Sequence, residues 1–454
     1  MVDPATRIQK ALVRKPVDDI YYVMGKVNEG TFGVVYKAVR QEDKVRLEQN
    51  REANKNNQFE PNKITYLAIK KPKNSKEGEG FNKDAVREIA LLRELSKHLN
   101  IVTLREVVLC PEGNAQVRGL YLVFDWADYE LCEILRTHRE RDPRQPPSER
   151  MVKSIMWQIL NGINYMHSNW VVHRDLKPSN ILIMGRGSEF GRVKIADFGM
   201  ARLFQQPLRS LHIDGVVVTV WYRAPELILN AKHYSKAIDM WAIGCILGEL
   251  LTNNPLFQGK EDKSHRAFQE DQLKKIIRVV GVPTVADWSG FAELSEWKTV
   301  EKWAQDRAFH QEIGLDKKDP FWSILPLRTN PHAADLLRCF FNYDPSKRIT
   351  ALDALRHPYF TKSQPFPLEN VFLNERGQAD VNLYGARQLH PINMSGQAMP
   401  ANNRPTGGPG PGSGQASMGG GGQMGMQAGM KRTAQGPPPG HDGRGNKSGR
   451  PGGM

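Results

Sequence analysis

The run His173-Arg174-Asp175-Leu176-Lys177-Pro178-Ser179-Asn180 puts an acid, a lysine and an amide close together, and Asp197-Phe198-Gly199 begins twenty-two residues after Asp175. Moving a phosphoryl group onto a hydroxyl needs one carboxylate to accept the hydroxyl proton. It needs a second carboxylate and an amide oxygen to hold a divalent cation on the β- and γ-phosphates of a nucleotide. Asp175, Asp197 and Asn180 supply that set, and Lys177 stands two residues from the first acid. Upstream, Asn28-Glu29-Gly30-Thr31-Phe32-Gly33-Val34-Val35 spaces two glycines three apart, so that no Cβ keeps the backbone from a phosphate chain. Taken alone, those glycines fit an ordinary hairpin equally well. Asn28 replaces the first glycine of the G-x-G-x-x-G-x-V pattern, and Asn tolerates left-handed backbone angles. Lys70 in Leu67-Ala68-Ile69-Lys70 reads by itself as a solvated strand lysine. Paired with Glu88 on a neighbouring helix, it becomes an ammonium held against phosphates.

These residues need elements to hold them. Tyr21 to Val27, Val34–Val39, Ile64–Ile69 and Leu120–Phe124 read as strands. Asp84 to Leu95 reads as a helix with Asp84 as N-cap, since Val86, Ile89, Leu92 and Leu95 recur every three residues. Leu92 lies one turn beyond Glu88 on the same face. Arg40 to Lys63 is charged, Asn-rich and poor in apolar residues, and is expected to be a long exposed loop. In residues 1–19, Pro4 could open a short helix with Ile8 and Leu12 on one face. After Phe124 helical patterns dominate: Met151–Met166, Ala237–Leu251, Gln272–Val279 and Ala333–Phe340. The expectation is a small strand-rich unit, a larger helical one, and ligand chemistry at their junction.

The chain has 454 residues, 40% hydrophobic and 25% charged, enough apolar material for a sizeable core. No apolar run approaches the roughly 20 residues that span a bilayer, and the first fifteen residues hold no apolar signal region. Cys110, Cys132, Cys245 and Cys339 lie far apart without C-x-x-C spacing, which excludes a local zinc ribbon or disulfide scaffold and fits a reducing compartment. They read as inert buried thiols, Trp157 and Trp241 as core, and His138, His212, His233 and His357 as surface or packing residues. The net charge is +14, of which +6 lies from Arg387 onward. From about Asn393, Gly, Pro, Met and Gln dominate and no apolar periodicity survives, so 393–454 reads as disordered. A basic tail raises nucleic-acid binding as an alternative, but no aromatic residue follows Tyr384 to stack on bases.

The glycine turn, strand lysine, helix acid, H-R-D-x-x-x-x-N, D-F-G and Ala224-Pro225-Glu226 occur in the order of the protein-kinase set. Residues 21–360 resemble a eukaryotic protein kinase throughout. The resemblance implies an α+β, bilobal fold with a small β-rich N-lobe (about 21–125) and a larger α-helical C-lobe (about 126–360). Residues 1–20 would be an N-terminal segment whose helix docks a cyclin, 361–392 a C-terminal extension, and 393–454 the tail. Lys177 and Thr219 before Trp221-Tyr222-Arg223 resemble the serine/threonine type. The resemblance also implies a pair between Glu226 and Arg348.

The stretch Ala85-Val86-Arg87-Glu88-Ile89-Ala90-Leu91-Leu92-Arg93-Glu94-Leu95 resembles the cyclin-binding helix of cyclin-dependent kinases. His167-Ser168-Asn169-Trp170, Asn180 to Gly185 with the Gly187–Arg192 loop, and Phe124-Asp125-Trp126-Ala127 are most similar to the cyclin C-dependent kinases of the Mediator complex. This implies ATP as substrate, bound by Val27, Asn28, Glu29, Gly30, Thr31, Phe32, Gly33, Val34, Val35, Ala68, Lys70 and Glu88. Phe124 would be the gatekeeper, with Asp125 to Ala127 as the hinge. Asp175 would be the base, Lys177 the stabiliser of the transferring group, and Asn180 and Asp197 the Mg²⁺ ligands. The implied partners are a cyclin C-like cyclin, Mediator kinase-module subunits and the RNA polymerase II C-terminal domain as a proline-directed substrate, in the nucleus. Neither a membrane nor a specific nucleic-acid sequence is expected. The Val217-Val218 pair would form the pocket for the residue after the phosphosite. Asp214 stands where relatives carry an activating phosphothreonine, and could meet Arg87, Arg174 and Arg202 with one fixed charge; a solvated loop acid is the alternative. A kinase-like scaffold with little catalysis also remains open, Asn28 being the one departure in its favour.

Overall fold

The computed structural model describes residues 12–389 apart from 31–32, 56–63, 74–82, 111–118, 205–218, 234, 261–267, 316–320, 322–323, 327–328, 375, 380–383, 385–386 and 388. The β-branched and aromatic runs of the first 125 residues pair into a six-stranded sheet of order β1-β5-β6-β4-β3-β2. Its strands are β1 (Leu12–Arg14), β2 (Tyr21–Gly30), β3 (Gly33–Arg40), β4 (Leu67–Pro72), β5 (Leu104–Cys110) and β6 (Gly119–Asp125). All pairings are antiparallel except β1 on β5. The register sets Val35 opposite Lys70 and Ala68 opposite Phe124. Opposed residues share a face and alternate residues point the same way, so Val35, Ala68, Lys70 and Phe124 lie on one side of the sheet. Leu67, Ile69, Val108, Tyr121 and Val123 pack into a separate small core on the other.

Three expectations change here. Gln41–Lys55 is a helix, α1, not a loop. Its Glu, Gln, Lys and Arg side chains are strong helix formers, and its Leu47 packs with Val39 and Ile64 in a small apolar cluster. Leu12 lies in strand β1, paired opposite Val107, because an open sheet edge offers this Leu-Val-Arg segment a full set of backbone partners. The helix α2 runs Lys83–Leu95, which puts Asp84 inside its first turn rather than at the cap. Ile8, Thr31, Phe32, His212, Asp214, Val216 to Val218 and the 393–454 tail lie outside the described residues.

The second part is helical, as a bilobal α+β fold requires. It begins with α3 (Leu131–Glu140) after the two-residue strand β7 (Tyr129–Glu130). The long α4 (Glu149–Ser168) is opened by Ser148, whose Oγ accepts the Met151 N–H. The helix α5 (Ala237–Thr252) is buried along nearly its whole length, which its all-round apolar sequence demands. Among its neighbours are α6 (Glu270–Val280) and α7 (Pro331–Phe340), which join it in one large core that extends up to Ile89 and Leu92 of α2. Arg348 and Glu226 are both buried and bond through 2.8 and 3.0 Å contacts, with Arg348 over the Trp241 ring. Short strands β8 (Val171–Val172), β9 (Ile181–Ile183), β10 (Val193–Ile195) and β11 (Arg202–Leu203) flank the motif loops.

The chain beyond Thr361 turns back along this lobe. Lys153 Nζ donates to Ser363 O at 2.7 Å, Gln158 Nε2 to Glu369 O at 3.0 Å, and the Leu368 N–H to Ser154 Oγ at 2.9 Å. Phe372 and Tyr384 then pack edge-to-face against Tyr129, and the Arg387 N–H reaches Asp128 O at 3.2 Å. Trp241 is core as expected, while Trp157 is half-buried. Cys110 and Cys245 are buried, but Cys132 and Cys339 are only partly so. His357 lies within 4.8 Å of Asp335 and Cys339; one ring nitrogen accepts the Tyr359 N–H and the other meets Asp335 at 3.2 Å, which makes it a packing and capping residue. Among the described residues no helix is long and apolar enough to cross a membrane.

Candidate active site

A cleft of about 280 Å³ lies between the sheet face and the helical part. Lys70 stands at its inner end. The Lys70 ammonium donates to both Glu88 oxygens at 2.7 and 2.9 Å and to Asp197 Oδ1 at 2.8 Å. Glu88 reaches it because α2 presents Glu88, Ile89 and Leu92 inward against the core. Burial alone would lower the lysine, but two carboxylates outweigh it and Lys70 is raised. Asp197 is likewise lowered against its burial, chiefly by Lys70. Glu88 moves the other way: burial raises it against the Lys70 charge, and Asp197 adds to the rise. We take the pair as ionised, because two short bonds from one ammonium to both oxygens need a carboxylate acceptor.

The loop with Asp175 is held from below. Asp239, in the first turn of α5, accepts the His173 N–H at 2.8 Å, the Arg174 N–H at 2.9 Å and His167 Nε2 at 3.0 Å. Asp239 is fully buried, which would raise its carboxyl; the His167 bond leads the contacts that hold it below the ordinary value. Arg174 and Asp197 take left-handed backbone angles, φ +73° and +64°. Strain of this kind persists only where the surroundings over-determine it, and these bonds do so for Arg174. Asp175 Oδ2 accepts Lys177 Nζ at 2.8 Å and Asn180 Nδ2 at 3.2 Å. Asn180 Nδ2 also meets Asp175 O at 2.7 Å. Both amide hydrogens of Asn180 are therefore turned toward Asp175, and Asn180 and Asp197 both line the cleft. A carboxylate and an amide oxygen are the hard donors that Mg²⁺ takes, so these residues fit that ion.

Of the residues expected at a nucleotide, Asn28, Gly30, Gly33, Val35, Ala68, Lys70, Glu88, Phe124, Asp125 and Ala127 line this cleft, together with Lys177, Asn180 and Asp197. A Cβ on Gly33 would meet Lys71 O at 2.4 Å, so only glycine lets β3 run this close to β4. Among the described residues, a Cβ on Gly30 would meet nothing within 4 Å, which leaves that space open to a ligand. Val27, Glu29 and Val34 are not brought to the cleft. Val27 sits at a β-bulge between Lys26 and Asn28, and Glu29 is exposed and paired with Lys26. Asp175 is buried just beneath the lining residues Lys177 and Asn180.

Six lining residues were not assigned to the site from the sequence: Val102, Glu130, Leu182, then Ser179 and Ala196 beside motif residues, and Arg387. The first three are apolar or acidic positions without a motif. Arg387 arrives from the far C-terminal extension, where it pairs with Glu130 and lies over the Trp126 ring. Its one signal was Tyr384, the last aromatic residue, which anchors the segment on His138 Nε2 at 2.9 Å.

Residues 21–360 match the model of the protein kinase domain family. The chain is 48% identical to the probable cyclin-dependent kinase 8 of Dictyostelium discoideum, over 79% of this chain and 85% of that protein. It is 46% identical to cyclin-dependent kinase E-1 of Arabidopsis thaliana, over 78% of this chain and 68% of that one. With serine/threonine-protein kinase SSN3 of Yarrowia lipolytica it shares 40% identity over 80% of this chain and 82% of the relative.

Proposed function

This chain belongs to the protein kinase family, and we propose that it is a cyclin-dependent serine/threonine kinase which moves the γ-phosphoryl group of ATP to a protein hydroxyl. The observation that carries the reading is the junction of two clusters in one cleft: Lys70 between Glu88 and Asp197, and Asp175 bonded to Lys177 and Asn180. The adenine would lie between Val35 and Ala68 on one side and Leu182 on the other, against the Asp125–Ala127 backbone. Lys70 would hold the α- and β-phosphates. Asp197 and Asn180 would hold Mg²⁺, which when bound offsets charge on the phosphates.

Asp175 accepts the proton of the attacking hydroxyl as its oxygen bonds to phosphorus. The bond from phosphorus to the β,γ-bridging oxygen breaks, and ADP leaves with that electron pair. Lys177, 2.8 Å from Asp175, places a positive charge beside the oxygens that gain negative charge.

The names of the relatives, cyclin-dependent kinases both, support a cyclin partner. A cyclin C-like cyclin, membership of the Mediator kinase module, a nuclear site of action and proline-directed phosphorylation of the RNA polymerase II C-terminal repeats complete the reading. Labelled phosphate transfer from ATP to a heptad-repeat peptide, with and without cyclin C, tests it. Cyclin-stimulated transfer that falls about 10²- to 10⁴-fold in Asp175→Asn is expected. Transfer unchanged by that substitution, or absent with every cyclin and peptide tried, overturns it and returns the scaffold alternative.

A further inference from the structure

We propose that Asp84 is an acidic anchor, built into this chain, that ties α2 to the segment leaving Asp197-Phe198-Gly199 and so positions the site. The proposal deepens the kinase reading above and rests on it. Asp84 lies one turn ahead of Glu88, so the two carboxylates stand on one face of α2. Glu88 takes Lys70 from the sheet. Asp84 Oδ1 takes Arg87 Nη1 at 2.5 Å and Arg202 Nη2 at 3.3 Å.

Arg202 belongs to the large lobe. It opens β11, paired opposite Val172 of β8 just before His173. Its Nη1 also donates to Gly199 O at 3.3 Å and Ala201 O at 3.0 Å. One guanidinium therefore runs from the backbone directly after Asp197 to the first turn of α2. The helix is held to one lobe through Glu88 and to the other through Asp84.

Arg87 and Arg202 are two of the three arginines matched to a phosphate pocket, and here a carboxylate of the same chain already bridges them. A negative charge in the first turn also suits the helix dipole, so Asp84 is favoured where it stands. The Asp84 side chain is 46% exposed and that of Arg202 13%. A pair this open shifts how often α2 is seated rather than switching it on or off. Asp84 is thus a positioning residue, and its effect belongs in turnover rather than in substrate binding.

The test uses the full chain with its cyclin, in Asp84→Asn, Asp84→Glu, Arg202→Gln and the Asp84→Asn/Arg202→Gln double variant. Asp84→Asn is expected to lower kcat about three- to fivefold with the peptide KM unchanged. Asp84→Glu should recover most of that, and the double variant should be no worse than the worse single one. Hydrogen exchange over residues 83–95 and 197–204 should quicken in Asp84→Asn. Wild-type turnover and exchange in Asp84→Asn, or losses that multiply in the double variant, would overturn the anchor. If Asp84→Asn melts well below the wild type, Asp84→Glu and Arg202→Gln carry the decision. A wild type that transfers no phosphate defeats the kinase reading, while the exchange comparison still decides the anchor.

Discussion

Replacing Glu88 by glutamine keeps the shape of the side chain and removes its charge. The Lys70 ammonium then loses a carboxylate that accepts at 2.7 and 2.9 Å and keeps only Asp197 at 2.8 Å. A hydrogen bond to a charged group contributes about 1.5–3 kcal/mol and a neutral one about 1 kcal/mol. Glutamine offers the ammonium a single neutral acceptor and turns an NH₂ group toward it. The net loss is about 1–2 kcal/mol, and the lysine is drawn toward Asp197, away from the position that α2 sets. That corresponds to roughly a five- to thirtyfold fall in kcat/KM for ATP. The assay is steady-state phosphate transfer with ATP varied, on Glu88→Gln, Lys70→Met and the double variant. Both residues act through one ammonium, so the double variant should match Lys70→Met. A Glu88→Gln enzyme within twofold of wild type would refute the reasoning. So would a double variant whose loss is the product of the two single losses.

Arg348→Ala strands Glu226 in the core, and removing one partner of such a pair costs about 3–5 kcal/mol, so the melting temperature should fall by about 5–10 °C; calorimetry showing no fall would contradict the burial argument. Asp239 has a folded pKa below its unfolded value, so its stabilisation is whole above about pH 4 and drains as pH falls through the folded value. The urea midpoint should therefore drop more steeply on acidification below pH 4 in wild type than in Asp239→Asn, whose loss is already present at pH 7; equal slopes would refute the assignment. Arg387→Ala should raise the KM for ATP several-fold and leave kcat unchanged, since Arg387 lines the cleft where it pairs with Glu130 and lies over the Trp126 ring; an unchanged KM would limit the C-terminal extension to bracing the hinge.

What the sequence revealed about this site follows from how local each signal is. Asp175, Lys177, Asn180 and Asp197 are spelled out within two short runs, and the type and order of their neighbours identify them. Lys70 and Glu88 needed only a strand and a helix with ordinary periodicity to be brought together. Asp239 could not be read in the same way. Its signal is one of only two acids, with Glu249, in the apolar run Ile238 to Leu251, and its partners come from His167 and two backbone N–H groups that only the tertiary fold delivers. Arg387 is 190 residues beyond Asp197 in the sequence, and no pattern links an extension to a hinge. The Arg40–Lys63 reading failed for a different reason. Low apolar content argues against burial, but it does not argue against a helix whose side chains are mostly Glu, Gln, Lys and Arg.

The position of α2 is where these threads meet. Its inward face supplies Ile89 and Leu92 to the large core and Glu88 to Lys70, its first turn supplies Asp84 to Arg202, and Val86 remains 40% exposed on its outer side. A small displacement of this one helix would break the contact to the sheet and the contact to the segment after Asp197 together. A partner that grips the outer side need not touch ATP or substrate to change turnover. It need only bind the seated helix better than the displaced one, and each 1.4 kcal/mol of that preference changes the ratio of seated to displaced molecules tenfold. Cyclin dependence and the Asp84 anchor would then act on the same equilibrium. Loss of the anchor should therefore cost most where cyclin is scarce and least where it is saturating.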